Sequence, residues 1–273
     1  MTGARHSTFD AIAAAKAAGA AGVTKRIDGG RGHYYKLDGA KVDGVTTVLS
    51  NGIPKPALIN WAAREVATFA ADHLDMLSQL DRAAAIDLLK GSHYRERDAA
   101  ARRGTEVHGL AEKLLHGEEV TVPEELVGHV DSYMRFLDEW NPTPILVEAV
   151  LGNRTHKWMG TCDMVCTVDG RTALLDIKTT RSGIYGETAL QLAAYAHAEF
   201  YLDDAGDEQL MPPIDWCGAI WVRADGYDIV PCDAGEAQYR MFRYAAQVAA
   251  FTTTLSKEWV GDALRPPRRG DAA

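Results

Sequence analysis

The sequence predicts an α/β protein in which a mixed central β-sheet is flanked by helices, with an N-terminal hairpin and a helical insert ahead of the core. Three observations carry this. Asp-Gly dipeptides interrupt strand-like runs at 38–39, 169–170 and 225–226, and Asp-Gly between β-rich segments is the strongest short-range hairpin signal. A block with helical apolar spacing separates the first hairpin from the second. A further helical stretch follows the second hairpin directly, so strands and helices alternate.

The elements follow in order. The opening stretch MTGARHSTFDAIAAAKAAGAAG is Ala-rich, but Asp10 and Lys16 break any secretory apolar run, and residues 1–30 read as a flexible arm. HYYKL-DG-AKV gives a hairpin over 33–42, within a region 31–56. PALINWAAREVATFAADHL, DRAAAIDLLK and RGTEVHGLAEKLLHG give successive helices, the last closed by Gly117. PEELVGHVDSYMRFLDEW gives another, ended by Asn141-Pro142, and together these fill 57–142. The core spans 143–260. It opens with the strand ILVEAVLG and the hairpin TCDMVCTV-DG-RTALLDIK over 161–178. A long helix GETALQLAAYAHAEFYL, a hairpin AIWVRA-DG-YDIV over 219–230 and a terminal helix AGEAQYRMFRYAAQVAAFTTTL follow. Residues 261–273 read as a disordered tail.

At 273 residues the chain can bury a large core as one domain with additions or as two small domains. No window approaches the ~20 apolar residues of a membrane span, so no membrane partner is expected. Cys162, Cys166, Cys217 and Cys232 form no CxxC and pair closely with no histidine, which points to a reduced, cytoplasmic protein without a structural zinc site. The formal net charge of −9 argues against a general polyanion binder. Net charge does not fix local potential, however, and basic residues gather at Arg95, Arg97, Arg102 and Arg103, at Lys178 and Arg181, and at Arg265, Arg268 and Arg269.

The second hairpin carries the chemistry. If Asp169-Gly170 is a two-residue turn, Val168 faces Arg171, and stepping outward Asp163 faces Asp176. Side chains alternate along a strand, so Asp163, Asp176 and Lys178 share one face with Val165 and Leu174, and Met164, Ala173, Leu175 and Ile177 take the other. Directly opposed residues have Cβ atoms about 4.5–5.5 Å apart, and like charges there are destabilising. Three arrangements would resolve the conflict. The carboxylates could share a proton, Lys178 could pair with both in a buried ion network, or both could bind a hard divalent ion through oxygen. In the metal arrangement the backbone carbonyl of Ile177 is placed to add a ligand, and Lys178 stabilises charge developing on a phosphate.

The wider pattern resembles a family. GTCDMVCTVDGRTALLDIKTTRSG followed by a helix containing QLAAYA resembles the PD-(D/E)XK nucleases of the RecB-like branch. Such nucleases end one strand with an Asp, carry D/E-x-K on the antiparallel neighbour and Gln-x-x-x-Tyr on the next helix. Asp163, Asp176-Ile177-Lys178, and Gln191 with Tyr195 match these positions. RGTEVHGLAE supplies the upstream G-T-x-x-H with His108, and Glu148 in LVEAVLG matches the Glu of the first core strand. GVTTVLSNGIPKPALINWAARE is similar to the opening block of the mitochondrial genome maintenance exonucleases and similar bacteriophage exonucleases, so the likeness runs from about residue 33 to about 250. Cys162 stands where the Pro of the family name would be.

The resemblance implies a restriction-endonuclease-like core over 143–260, with 57–142 as an arch or clamp. The activity it implies is a metal-dependent deoxyribonuclease of replication, recombination or repair; with no Arg/Ser-rich transit segment evident, a bacterial or phage origin is expected over an organellar one. Its expected substrate is DNA, single-stranded or with a free end, and replication or recombination proteins are expected partners. It assigns Asp163, Asp176, His108 and the Ile177 carbonyl to Mg2+ or Mn2+, Lys178 to catalysis, and Glu148 to orienting a water or ligand. Gln191 steadies the site, Tyr195 contacts the substrate backbone, and Thr179, Thr180 and Arg181 hold adjacent phosphate. The Cys set of iron–sulfur branches is absent, so no cluster is expected. Each residue has a plainer alternative: a packed histidine at 108, a capping Glu148, a polar helix edge at 191 and 195. Trp61, Tyr34 and Tyr35 could stack on bases or sit in the core. A DNA-binding scaffold that keeps the fold with little turnover, and an endonuclease or flap nuclease, are the alternative functions.

Overall fold

The computed structural model describes residues 23–30, 32–115 and 117–265. The Ala-rich stretch 1–22 and the end of the tail, 266–273, lie outside the described residues. Among the described residues, ten strands build one curled, mixed sheet. They are β1 (Lys25–Gly29), β2 (Gly32–Leu37), β3 (Ala40–Gly44), β4 (Thr143–Asn153), β5 (Trp158–Val168), β6 (Arg171–Lys178), β7 (Phe200–Leu202), β8 (Glu208–Leu210), β9 (Trp216–Arg223) and β10 (Gly226–Cys232). One path runs β1-β2-β3-β5-β4-β7-β8 and a second runs β5-β6-β9-β10. The β3/β5 and β6/β9 pairs are parallel and the rest antiparallel.

Helices cover both faces. They are α1 (Val45–Gly52), α2 (Pro56–Asp72), α3 (Leu74–Ser78), α4 (Arg82–Leu115), α5 (Val127–Trp140), α6 (Gly186–Ala196) and α7 (Glu236–Ala250). Val48, Leu192, Tyr195 and Phe242 from α1, α6 and α7 pack on Leu151, Trp158, Cys162 and Leu174. Ala111, Tyr133 and Phe136 from α4 and α5 pack on Met164, Leu175, Ile177 and Ile220. Contiguous apolar cores on both faces explain why β5 and β6 read as near-continuous apolar runs.

Two of the three Asp-Gly turns form as the sequence predicts. Leu37 pairs with Ala40 and Val168 with Arg171. Both turn residues have positive φ, 51° and 82° at Asp38-Gly39 and 50° and 70° at Asp169-Gly170, the backbone that Asp-Gly supplies cheaply. Gly117 closes α4: its N–H reaches Leu114 O while Glu118 N–H reaches Lys113 O, and its φ of 73° suits glycine. Asn141 ends α5 in the left-handed region, with its N–H on Leu137 O.

Elsewhere the structure corrects the sequence. Residues 25–29, expected in the arm, form β1 against β2. DRAAAIDLLK and RGTEVHGLAEKLLHG are one 34-residue helix, α4, because the stretch between them is rich in Ala and Arg, which favour helix. The helix expected over GETALQLAAYAHAEFYL stops at Ala196. Phe200 and Tyr201 instead pair with Gly152 and Leu151 of β4, as aromatic residues do on a half-buried sheet. In the third hairpin Arg223 pairs with Gly226, so the turn residues are Ala224-Asp225 and the register is shifted from the expected one. Among the described residues no helix is long and apolar enough to cross a membrane.

Candidate metal centre

The site is built where β5 changes partners. Its first residues, Trp158 and Met159, pair with β3, and Met164 to Val168 pair with β6. Between them, residues 160–163 have no strand on that edge. Opposite on β4, Glu148 adopts φ 46°, a left-handed conformation that costs a non-glycine residue roughly 1–2 kcal/mol. Val147 with Glu148, and Asp163 with Met164, all line one narrow cavity. Consecutive residues facing the same space break the strict alternation of a flat strand.

Asp163 therefore does not share a face with Asp176 and Lys178 in the simple register. The observed pairing with β6 ends at Met164–Leu175, and Asp163 Oδ2 accepts the Ile177 N–H over 2.6 Å. This separates the two like charges. Asp163 turns to His108 of α4, whose Nδ1 lies 3.4 Å from Asp163 Oδ2. Asp176 turns to the other side, against the Lys178 ammonium, and accepts from Gln191 Nε2 of α6 over 2.7 Å. Gln191 Oε1 in turn accepts from Lys178 Nζ over 3.2 Å.

One ligand atom each from His108, Glu148 and Asp163 falls within 4.8 Å of the others. One imidazole nitrogen and two carboxylates suit a divalent ion that accepts both donor types. Asp176 Oδ2 adds a buried oxygen whose partner is the Lys178 ammonium. Asp176 lies outside the three-residue cluster, tied to Lys178 and Gln191. Ile177 meets the site through its N–H, donated to Asp163 Oδ2.

The electrostatics are those of a site strained by its own charges. Burial opposes charging His108, but the Asp163 carboxylate outweighs it and lifts the imidazole to about 9. Burial, then Asp163, pushes Glu148 up to about 7. Asp163 is held below its ordinary value despite burial, by His108 first and then Lys178 and the Ile177 N–H. Burial raises Asp176 against the pull of Lys178. Burial and neighbouring charges thus keep one carboxylate ionised and push two others toward protonation.

The remaining expected residues fall in different places. Tyr195 is 2% exposed and lies where a Cβ on Gly160 would come within 2.5 Å of its ring, so it packs the core and cannot touch a substrate backbone. Gln191 is buried too and positions Lys178 and Asp176. Thr180 Oγ1 donates to Gly183 O and its carbonyl accepts Trp221 Nε1, each over 2.7 Å, which fixes the turn after β6. Thr179 stands half-buried against Gly104 of α4, and Arg181 is exposed. Tyr35 is in the core, Tyr34 is exposed with Lys41 over its ring at 5.6 Å, and Trp61 is half-buried, edge-on to His93. Burial pushes the thiols of Cys166 and Cys217 up to about 12, which fits core packing.

Sequence reasoning missed Tyr133 of α5, which lines the cavity. It also missed a wall from the N-terminal ribbon. Tyr35 OH hydrogen-bonds Thr161 Oγ1 over 2.9 Å and His33 Nε2 over 3.1 Å, and Arg26 Nη1 donates to Thr161 over 3.3 Å. Thr161 is two residues from Asp163 on β5, so the parallel β3/β5 pair brings the ribbon to the site. No local motif signals that long-range pairing.

No family model matches the chain, and no curated protein matches it. A solved structure described as the crystal structure of SSO0001 is 13% identical, over 49% of this chain and 63% of that one, with a TM-score of 0.29. The chain thus spans less than two thirds of that structure's length, and a likeness this distant carries no argument about fold or activity.

Proposed function

We propose that the protein is a divalent-metal-dependent deoxyribonuclease with a restriction-endonuclease-like core of the PD-(D/E)XK, RecB-like kind, acting on single-stranded or frayed DNA ends in replication, recombination or repair. The observation that carries the reading is the cluster of His108, Glu148 and Asp163 donor atoms within 4.8 Å, beside the Asp176–Lys178 pair on the neighbouring strand. Magnesium or manganese held by these three residues would supply Lewis-acid charge to a phosphate oxygen and lower the pKa of an attacking water. The imidazole favours manganese.

The chain's own groups have distinct parts. Lys178 contributes a positive charge whose position is fixed by Asp176 and Gln191 before substrate arrives, the preorganisation that makes a charge effective against a developing oxyanion. Glu148, pushed to about 7, can hold or release a proton near neutrality. Asp163, ionised and bonded to Ile177 N–H, anchors the ligand set to the β5–β6 junction.

An end-labelled oligonucleotide, single-stranded and duplex, incubated with magnesium, manganese or EDTA, tests this beside Lys178→Ala. Metal-dependent loss of substrate that vanishes in the variant is the expected result. No cleavage with either metal by folded protein would overturn it. A metal-free ion network is the second reading. It is favoured by the way His108 satisfies Asp163 and Lys178 satisfies Asp176, and it predicts no response to manganese.

A further inference from the structure

Lys178 borders a second cavity, distinct from the one lined by His108 and Asp163. Its volume is about 170 Å3, and Thr46 of α1, Lys55, Thr180, Glu187 and Thr188 line it together with Lys178. Ile177 faces the first cavity and Lys178 the second, as alternation along β6 requires. The two differ in chemistry. The first carries carboxylates and an imidazole. The second brings together two ammonium groups and the hydroxyls of Thr46 and Thr188, donors that match phosphate oxygens. The helices α2 and α6 both begin at its wall, and neither has a side-chain cap, so the positive ends of their dipoles add to the potential there.

An anion already stands there. Glu187, in the first turn of α6, lies 3.0 Å from Lys55 Nζ, and its charge also acts on Lys178. Unlike Asp176, which is buried and tied down by Gln191, the Glu187 side chain is 31% exposed. The pair is half-buried and keeps contact with water, so Glu187 can give up Lys55 to an incoming anion.

We propose that this cavity is a phosphate subsite, that Lys55 is its principal ligand, and that Glu187 is an internal stand-in which the incoming phosphate displaces. The subsite rests on the nuclease reading in one respect: it takes the backbone phosphate next to the one at Lys178. A strand is then gripped through two successive phosphates from opposite sides of the β6 terminus, and Glu187 screens out weakly bound anions.

The test measures binding of inorganic phosphate and of a dT oligonucleotide in EDTA, where no metal-dependent step contributes. Lys55→Ala is expected to weaken phosphate binding about tenfold, the equivalent of one charge-assisted hydrogen bond. It should also make the salt dependence of oligonucleotide binding shallower by about 0.7 in log–log slope. Glu187→Gln is expected to tighten phosphate binding several-fold by removing the competitor. Opposite signs from the two variants cannot arise from general loss of folding. Wild-type phosphate affinity in both variants, or weaker binding by Glu187→Gln, would overturn the proposal. If the variants behave as expected but no oligonucleotide is cut with either metal, the subsite stands and the nuclease reading falls. If cleavage is metal-dependent and both variants bind phosphate as wild type does, the subsite falls and the nuclease reading stands.

Discussion

Gln191 reaches across from α6 and donates to Asp176 Oδ1 over 2.7 Å, inside a site where Asp176 is 1% exposed. The same amide accepts from Lys178, so one side chain sets the position of both charges. Gln191→Leu removes the donor to Asp176 Oδ1 and leaves the buried carboxylate with Lys178 alone, a loss of about 1–3 kcal/mol. Urea unfolding should show a lower midpoint with an unchanged slope, and Lys178-dependent cleavage should fall with it. Stability within about 0.5 kcal/mol of wild type, the range of an ordinary surface change, would mean that the hydrogen bond does not hold the pair.

The pH dependence of the metal-free protein has a definite sign. His108 stands at about 9 against an ordinary 6.5, and Glu148 at about 7 against an ordinary 4.5. Both folded values are raised, so the folded chain binds more protons than the unfolded one across this window. The contribution of His108 is complete below pH 6.5 and lost as pH rises through about 9. The cost of Glu148 grows from pH 4.5 and is complete above about 7. Thermal midpoints in EDTA should therefore fall from weakly acid to alkaline pH, and His108→Asn should flatten the upper part. A midpoint that rises over this range would contradict the charge arrangement.

Metal ligation reverses that slope. Ligands must be deprotonated, so binding releases protons and strengthens with pH. Manganese at 100 times its dissociation constant should raise stability by about 2.7 kcal/mol, more at alkaline than at acid pH. Asp163→Asn should lose most of this gain, because it removes a carboxylate of the cluster while its amide oxygen can still accept the Ile177 N–H. Equal stabilisation of wild type and Asp163→Asn would place the ion elsewhere.

The legibility of the site divides at Asp163. From Met164–Leu175 to Val168–Arg171 the hairpin register follows from one Asp-Gly turn and the period of a strand, both local. Beyond Met164 the strand loses β6 as its neighbour, and β3 joins it only at Trp158 and Met159. That exchange depends on residues more than a hundred positions away, so extrapolating the local register put Asp163 and Asp176 face to face. The residue types were legible nonetheless: His108, Glu148, Asp163, Asp176, Lys178 and Gln191 do meet at this junction. Tyr195 was misplaced because a Gln and a Tyr four apart share a helix side, and nothing local shows that Gly160 leaves room for the ring to enter the core. The end of α6 was missed for a similar reason, since Phe200 pairs with a β4 residue far back in the chain.

Gly52 tests the packing beneath the site. A Cβ there would lie 2.1 Å from the Ala245 carbonyl oxygen and 2.7 Å from its carbon, where α1 crosses α7. The obstacle is backbone, so no side-chain rotation relieves it. Gly52→Ala gains helix propensity worth about 1 kcal/mol but forces the two helices apart, at a typical overpacking cost of about 1–3 kcal/mol. The net outcome expected is destabilisation, read as a lower urea midpoint. A midpoint at or above that of wild type would mean that α1 is free to shift.

Glu148 separates strain from ligation. Its φ of 46° is unfavourable for any side chain with a Cβ, and such strain persists at functional positions because the surroundings hold it. Glu148→Gly keeps the backbone path and removes both the strain and a carboxyl that burial makes uncomfortable. In EDTA the variant should be more stable than wild type by about 1 kcal/mol, with the larger gain above pH 7, where the wild-type carboxyl is ionised. Glu148→Ala removes the carboxyl but keeps the strain, so it should gain less. Both should lose the stabilisation by manganese. If Glu148→Gly keeps the full manganese gain, this carboxylate is not a ligand, and the cluster reduces to His108 and Asp163 with Asp176 as the remaining candidate. If it is instead less stable than wild type in EDTA, the left-handed turn is held by contacts of the Glu148 side chain, and the bend in β4 depends on the group it presents.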